Sequence, residues 1–340
     1  MPSPIKQTVA GAFAEFEDAL KLDKPEVDSA RRRHNEVRDC LTATDLVATS
    51  FLQGSFARKT MISPLNDVDV VLVLPRSDED RLRRPCGPAQ SMEQLKPHLS
   101  DCFSGVVFDA EKRADHALRL DFTDVDFHID LVPAFDLHND NGDVDIADRG
   151  RDRWERSNTR ELMRVVSERN SADVTNGRFV PQVRMLKTFC DEVPDLDVCG
   201  LAAESLAFDA VTTRMSDGRA LLAAFQRGAG LTSGTLTDPT GVDDLLARWS
   251  WERRQAAATV FDKAAQAAAE ALALEAEGDE AGAIDIWHRL LGPQFPAAEG
   301  LTDERAVFRA WKGVTSANRV TPAAAAAQVP ARTVRSHRTL

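Results

Sequence analysis

The chain of 340 residues carries 42 Lys and Arg against 54 Asp and Glu, a formal net charge of −12. A protein whose main ligand is a long nucleic acid ordinarily presents a basic face, so this balance favours mononucleotide partners and argues against duplex or tRNA. With 43% hydrophobic and 28% charged residues the composition is that of a globular protein long enough for two lobes, and no apolar run reaches the length of a membrane span.

No leader is legible at Met1-Pro2-Ser3-Pro4, so a cytoplasmic protein is expected. Five cysteines, Cys40, Cys86, Cys102, Cys190 and Cys199, lack Cys-x-x-Cys spacing and predict reduced thiols; a zinc site on Cys190 and Cys199 would lack a partner pair. There is no tyrosine, which leaves base stacking to Phe, Trp, His or Arg.

Val9, Phe13, Phe16 and Leu20 recur at helical spacing and predict a helix over 5–22. Pro25 suits the first turn of a second helix running to about Leu41, with Glu26 and Asp28 near its positive end. Its Arg31-Arg32-Arg33 triplet reads as a solvated face. Residues 46–53 predict the first strand, which delivers the chain to Gly54-Ser55.

About a dozen residues later come Asp67 and Asp69, followed by Val70-Val71-Leu72-Val73-Leu74. Side chains alternate along a strand, so the two carboxylates share a face, and the apolar run suits a strand buried on both sides. Adjacent carboxylates repel, and a hard divalent cation with phosphate oxygens in its shell removes the conflict. Gly54 allows close backbone approach to a phosphate, and Ser55 adds a hydroxyl and an N–H. A P-loop fails, because Arg58 stands where the glycine before Lys59-Thr60 is required.

Residues 76–88 read as an exposed loop and 92–103 as a helix. Strands are predicted over 106–112, 116–122 and 125–132, with Asp121 and Asp124 at turns or strand ends. In the last strand Asp126, His128 and Asp130 alternate with Phe127, Ile129 and Leu131, and Pro133 is expected to end the pairing. Residues 136–153, rich in Asp, Asn, Gly and Arg, read as a loop. Ser157 or Asn158 can cap a helix over 159–169. Further helices are predicted over 179–192, 201–215, 218–226, 250–277 and 279–291, the alanine runs reflecting helix propensity. Residues 315–340 read as a flexible basic tail.

The stretch GSFARKTMISPLNDVDVVLVL, residues 54–74, resembles the signature of polymerase-β-like nucleotidyltransferases. It looks most like the cyclic-GMP-AMP-synthase/DncV-like branch, bacterial relatives of oligoadenylate synthase. HIDLVPAF, residues 128–135, is similar to the third-aspartate strand of that family, as is a Trp (here Trp154) followed by a capped helix. The resemblance implies an α/β (α+β) bilobed fold with a twisted mixed sheet: a catalytic lobe over 1–155, a helical nucleotide-binding lobe over 156–314 and the tail over 315–340.

By the same resemblance, Asp67, Asp69 and Asp130 would hold two Mg²⁺ or Mn²⁺ ions, with Asp126 the alternative third ligand and His128 given no role. Gly54 and Ser55 would seat the donor phosphates, and Lys187 would counter their charge. A second phosphate contact has no clear residue, since Cys199-Gly200-Leu201 stands where the family tends to have Ser, and Ser205 comes later. The implied reaction joins nucleoside triphosphates (ATP, GTP or others) into a cyclic di- or trinucleotide. That product would be an antiphage (CBASS) second messenger, and regulatory protein partners would be encoded alongside.

Two other readings are a CCA-adding-like or protein-modifying nucleotidyltransferase, which the acidic charge and shorter chain disfavour, and a non-catalytic module, which three intact carboxylates disfavour. Base selectivity, linkage, ring size, activating signal and oligomeric state have no sequence marker.

Overall fold

The computed structural model describes residues 7–108, 114–194 and 196–298; the segment read as a tail, 315–340, lies outside them. Helix α1 (Val9–Leu20) starts at Thr8, whose side chain accepts from the Gly11 N–H, and buries Val9, Ala12, Phe13, Phe16 and Leu20. Helix α2 (Lys24–Thr42) opens on a reciprocal capping box between Asp23 and Glu26, with Pro25 in its first turn. Then follow β1 (Thr49–Gln53), the single turn α3 (Gly54–Ala57) and β2 (Asp67–Val73).

Three short helices, α4 (Glu79–Leu82), α5 (Gly87–Glu93) and α6 (Lys96–Cys102), lead to β3 (Val106–Val107), β4 (Leu118–Phe122), β5 (His128–Asp136), β6 (Val144–Asp148) and β7 (Arg153–Ser157). The strands form one seven-stranded sheet ordered β1-β2-β5-β4-β3, with β6 on β5 and β7 on β6. Only β2 and β5 run parallel. One face packs Val68, Val70, Leu72, Leu120, Ile129 and Leu131 under α2 and α5–α6 through Ala30, Val37, Leu41, Met92, Leu95 and Leu99. The opposite face carries a smaller apolar patch of Val71, Val73, Ala134 and Val144. By strand alternation Asp67, Asp69 and Asp130 lie on this second face, at one end of the patch.

Several expectations are corrected. Residues 76–88 are not an exposed loop: a 3₁₀ turn (Arg76–Asp78), α4 and the start of α5 occupy them, and Leu82 is fully buried. Elements of one turn are too short to show a helical period. The helix expected over 92–103 divides near Leu95, because Pro97 starts the second piece, where its missing N–H costs nothing. Strand β5 begins at His128 and runs through Pro133 to Asp136. Pro133 is tolerated because one neighbour of β5, β4, ends its pairing at Leu131 and the next, β6, begins at Ala134. The stretch expected as a loop over 136–153 holds β6 and the start of β7.

Cys40 and Cys102 form a disulfide, contrary to the expectation of five thiols, because packing of α6 on α2 brings together residues 62 apart in sequence. Cys86, Cys190 and Cys199 are free.

The second half is helical: α7 (Thr159–Arg169), α8 (Phe179–Glu192), α9 (Gly200–Ala210), α10 (Asp217–Ala229), α11 (Trp251–Glu277) and α12 (Glu280–Leu291). Asn158 stands at the N-cap of α7, but its side chain makes no capping bond. The core of this lobe includes Phe179, Phe189, Phe225, Phe261, Trp287 and Phe295. Helix α1 joins it, with the Phe13 ring edge-on to Trp287 at 5.2 Å and to Phe295 at 5.1 Å, although the sequence reading grouped α1 with the sheet. The alanines of α11 have a packing role: Ala257, Ala264, Ala268 and Ala271 are buried, and a side chain at Gly228 on α10 would meet the Phe261 ring at 2.4 Å.

Glu26 ties helix to site. Its carboxylate accepts from the Asp23 N–H at 2.8 Å and from the Leu65 N–H at 2.9 Å, two residues before Asp67. Glu26→Ala should therefore cost about 1–2 kcal/mol in urea unfolding.

Candidate active site

The parallel pairing of β2 with β5 sets Asp69 beside Asp130 and Asp67 beside His128. Asp67 and Asp130 are buried, with 9% and 8% of their surface exposed. Burial, and then the charges of Asp67 and Asp130, push the Asp69 carboxyl well above the usual carboxylate range. One oxygen of Asp130, Oδ1, is buried with no hydrogen-bond partner, as is Nε2 of His128. His128 Nε2 lies 3.7 Å from Asp130 Oδ2. Asp126, the alternative third ligand, is exposed and precedes the strand.

Gly54 closes the site from the β1 side. Gln53 pairs with Asp69, and the chain then turns at Gly54 with φ +69°, a conformation L side chains rarely adopt. A Cβ there would sit 1.8 Å from Asp69 Oδ2. Glycine is required twice over, once for the backbone and once for the carboxylate. The expected simple turn is a helical one, with the Arg58 N–H donating to the Gly54 carbonyl at 3.2 Å and the Thr60 N–H to that of Ser55 at 2.9 Å. Ser55 is half-buried beside Met61, its Oγ 3.6 Å from Sδ.

Lys187 lies behind this turn and is 5% exposed. Its ammonium donates to the Thr60 carbonyl at 3.1 Å and to Thr60 Oγ1 at 3.2 Å, and stands 3.7 Å from Glu204. Glu204, on α9, is wholly buried and accepts from Arg58 Nε at 2.6 Å and Thr60 Oγ1 at 2.9 Å. Burial would raise the Glu204 carboxyl, but Arg58 and Lys187 outweigh it and hold it low. Burial lowers Lys187, partly opposed by Glu204. Arg184 adds two hydrogen bonds to the Lys59 carbonyl.

The loop after Gly54-Ser55 is thus fastened to both α8 and α9. Sequence reasoning missed Glu204; the signal was a carboxylate inside the largely apolar stretch Leu201–Phe208. Ser205 is turned away, its hydroxyl donating to the Leu201 carbonyl at 2.9 Å.

The donor set fits hard divalent cations: side-by-side carboxylates, one raised by its neighbours and one with an orphaned oxygen. Among the described residues, the set whose ligand atoms all fall within 4.8 Å of one another is His116, Asp148 and Glu155, elsewhere on the sheet.

Two outcomes follow. Glu204→Ala, which strands two buried cations, should cost about 3–5 kcal/mol in chemical denaturation. Asp69 keeps its proton to higher pH in the folded chain than in the unfolded one. Its contribution to stability is therefore present at low pH and lost as pH rises through the raised value. Without metal, Tm should fall with rising pH more steeply in wild type than in Asp69→Asn. Mg²⁺ should raise wild-type Tm more under alkaline than under acidic conditions, because it binds the deprotonated carboxylates.

The family model for the Second Messenger Oligonucleotide or Dinucleotide Synthetase domain matches residues 8–170. No curated protein sequence matches the chain. Among solved structures, CdnC of E. coli MS115-1 with ATP superposes with a TM-score of 0.66 at 18% identity, over 84% of this chain and 98% of that one. CdnG of Bradyrhizobium diazoefficiens in complex with GTP gives 0.62 at 17% identity, over 90% and 98%. The DncV cyclic AMP-GMP synthase of Vibrio cholerae with its linear intermediate gives 0.63 at 12% identity, over 87% and 98%. At such identities the likeness establishes the fold alone, while the matched domain takes in every strand of the sheet and all three aspartates. Residues 8–170 thus match a Second Messenger Oligonucleotide or Dinucleotide Synthetase domain, and the chain shares its fold with the CdnC, CdnG and DncV synthases.

Proposed function

We propose that the chain joins nucleoside triphosphates into a cyclic di- or trinucleotide, with one pyrophosphate released per bond, as a messenger in bacterial antiphage signalling. The observation that carries this reading is the register of Asp69 against Asp130 beside Asp67, with Gly54 pressed against the Asp69 carboxylate. Asp67, Asp69 and Asp130 would hold Mg²⁺ or Mn²⁺. When bound, the ions supply charge neutralisation at the donor phosphates and lower the pKa of the attacking hydroxyl.

In each turnover a ribose hydroxyl oxygen of the acceptor forms a bond to the donor α-phosphorus, and the bond to the β-phosphate bridging oxygen breaks. Asp130 is the group placed to take the hydroxyl proton. Gly54 and Ser55 seat the donor phosphates, close to the backbone because no Cβ intervenes. Lys187 has a positioning role: it holds Thr60 and with it the loop that follows Ser55, and its positive charge lies within electrostatic reach of Asp67 and Asp69. A second turnover on the linear product closes the ring.

ATP and GTP are the donors this reading favours, since the CdnC and CdnG neighbours are solved with those nucleotides. A HORMA protein accompanies CdnC in another neighbour, which supports a regulatory protein partner for this chain also. No helix among the described residues is long and apolar enough to cross a membrane. We also propose the division into a catalytic lobe over 1–155 and a helical nucleotide-binding lobe over 156–314, with α1 shared between them.

The test is product analysis with all four nucleoside triphosphates and Mg²⁺. A phosphatase-resistant cyclic product is expected from wild type. Asp67→Asn and Asp69→Asn should lose turnover, by at least about a hundredfold for several kcal/mol of barrier. Asp130→Ala should still bind MgATP yet join no nucleotides, and Asp126→Ala should stay active. RNA-dependent labelling, with no small-molecule product, would instead support a CCA-adding-like enzyme.

A further inference from the structure

Strands β4 and β6 lie on the same edge of β5, end to end. β4 pairs with it over His128–Leu131 and β6 over Ala134–Asp136, while β2 covers the other edge over His128–Ala134. The seam falls at Pro133, which has no N–H. Three side chains meet there: His116, just before β4; Asp148, the last residue of β6; and Glu155, on β7. Their ligand atoms all lie within 4.8 Å of one another.

His116 is 3% exposed, and its ring is already oriented. Nδ1 is 3.1 Å from the Ala147 carbonyl, which can only accept, so Nδ1 carries a proton. Nε2 faces Glu155 Oε2 at 3.9 Å, too far for a hydrogen bond. In the neutral ring the Nε2 lone pair thus faces a carboxylate oxygen. Ring N–H donation to a backbone carbonyl is the arrangement that fixes metal-ligating histidines.

The carboxylates are oriented as well. Glu155 takes Arg151 at 2.7 Å and Arg153 on Oε1, leaving Oε2 toward the histidine. Asp148 Oδ1 accepts the Arg151 N–H at 3.0 Å. The negative field extends to the other lobe, where burial, then Asp238 and Glu155, raise the Asp243 carboxyl.

We propose that His116, Asp148 and Glu155 form a second cation site, separate from the catalytic aspartates, for a borderline divalent ion of the zinc type that clasps the β4–β6–β7 seam. One imidazole and two carboxylates suit Zn²⁺ better than Mg²⁺, which takes oxygen alone. The site is structural: it ties the start of β4, which has no ladder to β6, to the paired β6–β7 hairpin, and it is independent of the nucleotide reaction.

The experiment uses the full chain carrying Asp67→Asn and Asp130→Asn, so that the catalytic carboxylates do not compete, stripped with chelator and titrated with Zn²⁺. One zinc per chain and a rise in Tm are expected. His116→Gln, and separately the near-isosteric Glu155→Gln, should each weaken zinc binding by more than about tenfold, a loss that even an outer-shell change can produce. Cys199→Ser should leave it intact. Far-UV circular dichroism of the metal-free variants checks that they fold, and Co²⁺ absorption reports nitrogen in the shell. Failure of the parent chain to take up stoichiometric zinc, or unchanged affinity in both ligand variants, would overturn the site and leave His116 as one half of an ion pair.

Discussion

Everything in the catalytic lobe is arranged around an electrostatic conflict: three carboxylates gathered at the ends of two neighbouring strands, where burial and mutual repulsion raise the middle one, Asp69. Parallel pairing of β2 with β5 creates the conflict, because it sets Asp69 directly beside Asp130. The apolar remainder of both strands pins that register, since a slip of one residue would turn Val68, Val70 and Leu72 away from the core under α2. Stability is therefore spent on a local arrangement that is relieved by a proton on Asp69 or by a bound cation, as expected where function sets the sequence.

The turn after β1 faces the carboxylates and is held there from both sides. Gly54 lets it approach, and the Arg58–Glu204–Thr60–Lys187 network holds it from behind. A buried charge network is a poor source of net stability, but it punishes any rearrangement that separates its members. Two of its residues come from the sheet lobe and two from α8 and α9, so the same contacts that fix the loop also fix the lobes relative to each other. Helix α1 reinforces this, since it begins the chain yet packs with Trp287 and Phe295 near the other end.

Much of this was legible in the sequence, for physical reasons that differ by element. The helices Thr159–Arg169 and Phe179–Glu192 coincide with their predicted spans, because a full amphipathic period repeats over three or more turns. The Gly54, Asp67, Asp69 and Asp130 constellation was readable because its residue types have few other uses at that spacing. The β6–β7 hairpin was not, since strands rich in Asp, Arg and Glu, one of them the outermost of the sheet, look like loop composition. Pro133 misled because the cost of its missing N–H depends on which strand lies alongside, a fact of topology. Lys187 was singled out as a phosphate contact, yet the structure gives its ammonium to Thr60 and Glu204, a partner that only tertiary packing supplies. The Cys40–Cys102 disulfide was hidden for the same reason.

The most direct measurement is a crystal structure of the full chain with Mn²⁺ and a non-hydrolysable nucleoside triphosphate, read by anomalous scattering at the manganese edge. Manganese bound between the carboxylates of Asp67, Asp69 and Asp130, with the triphosphate lying along Gly54-Ser55, is the expected result. Manganese absent from these carboxylates, or a triphosphate bound without contact to the Gly54 turn, would contradict the assignment of this site as the centre of nucleotide transfer.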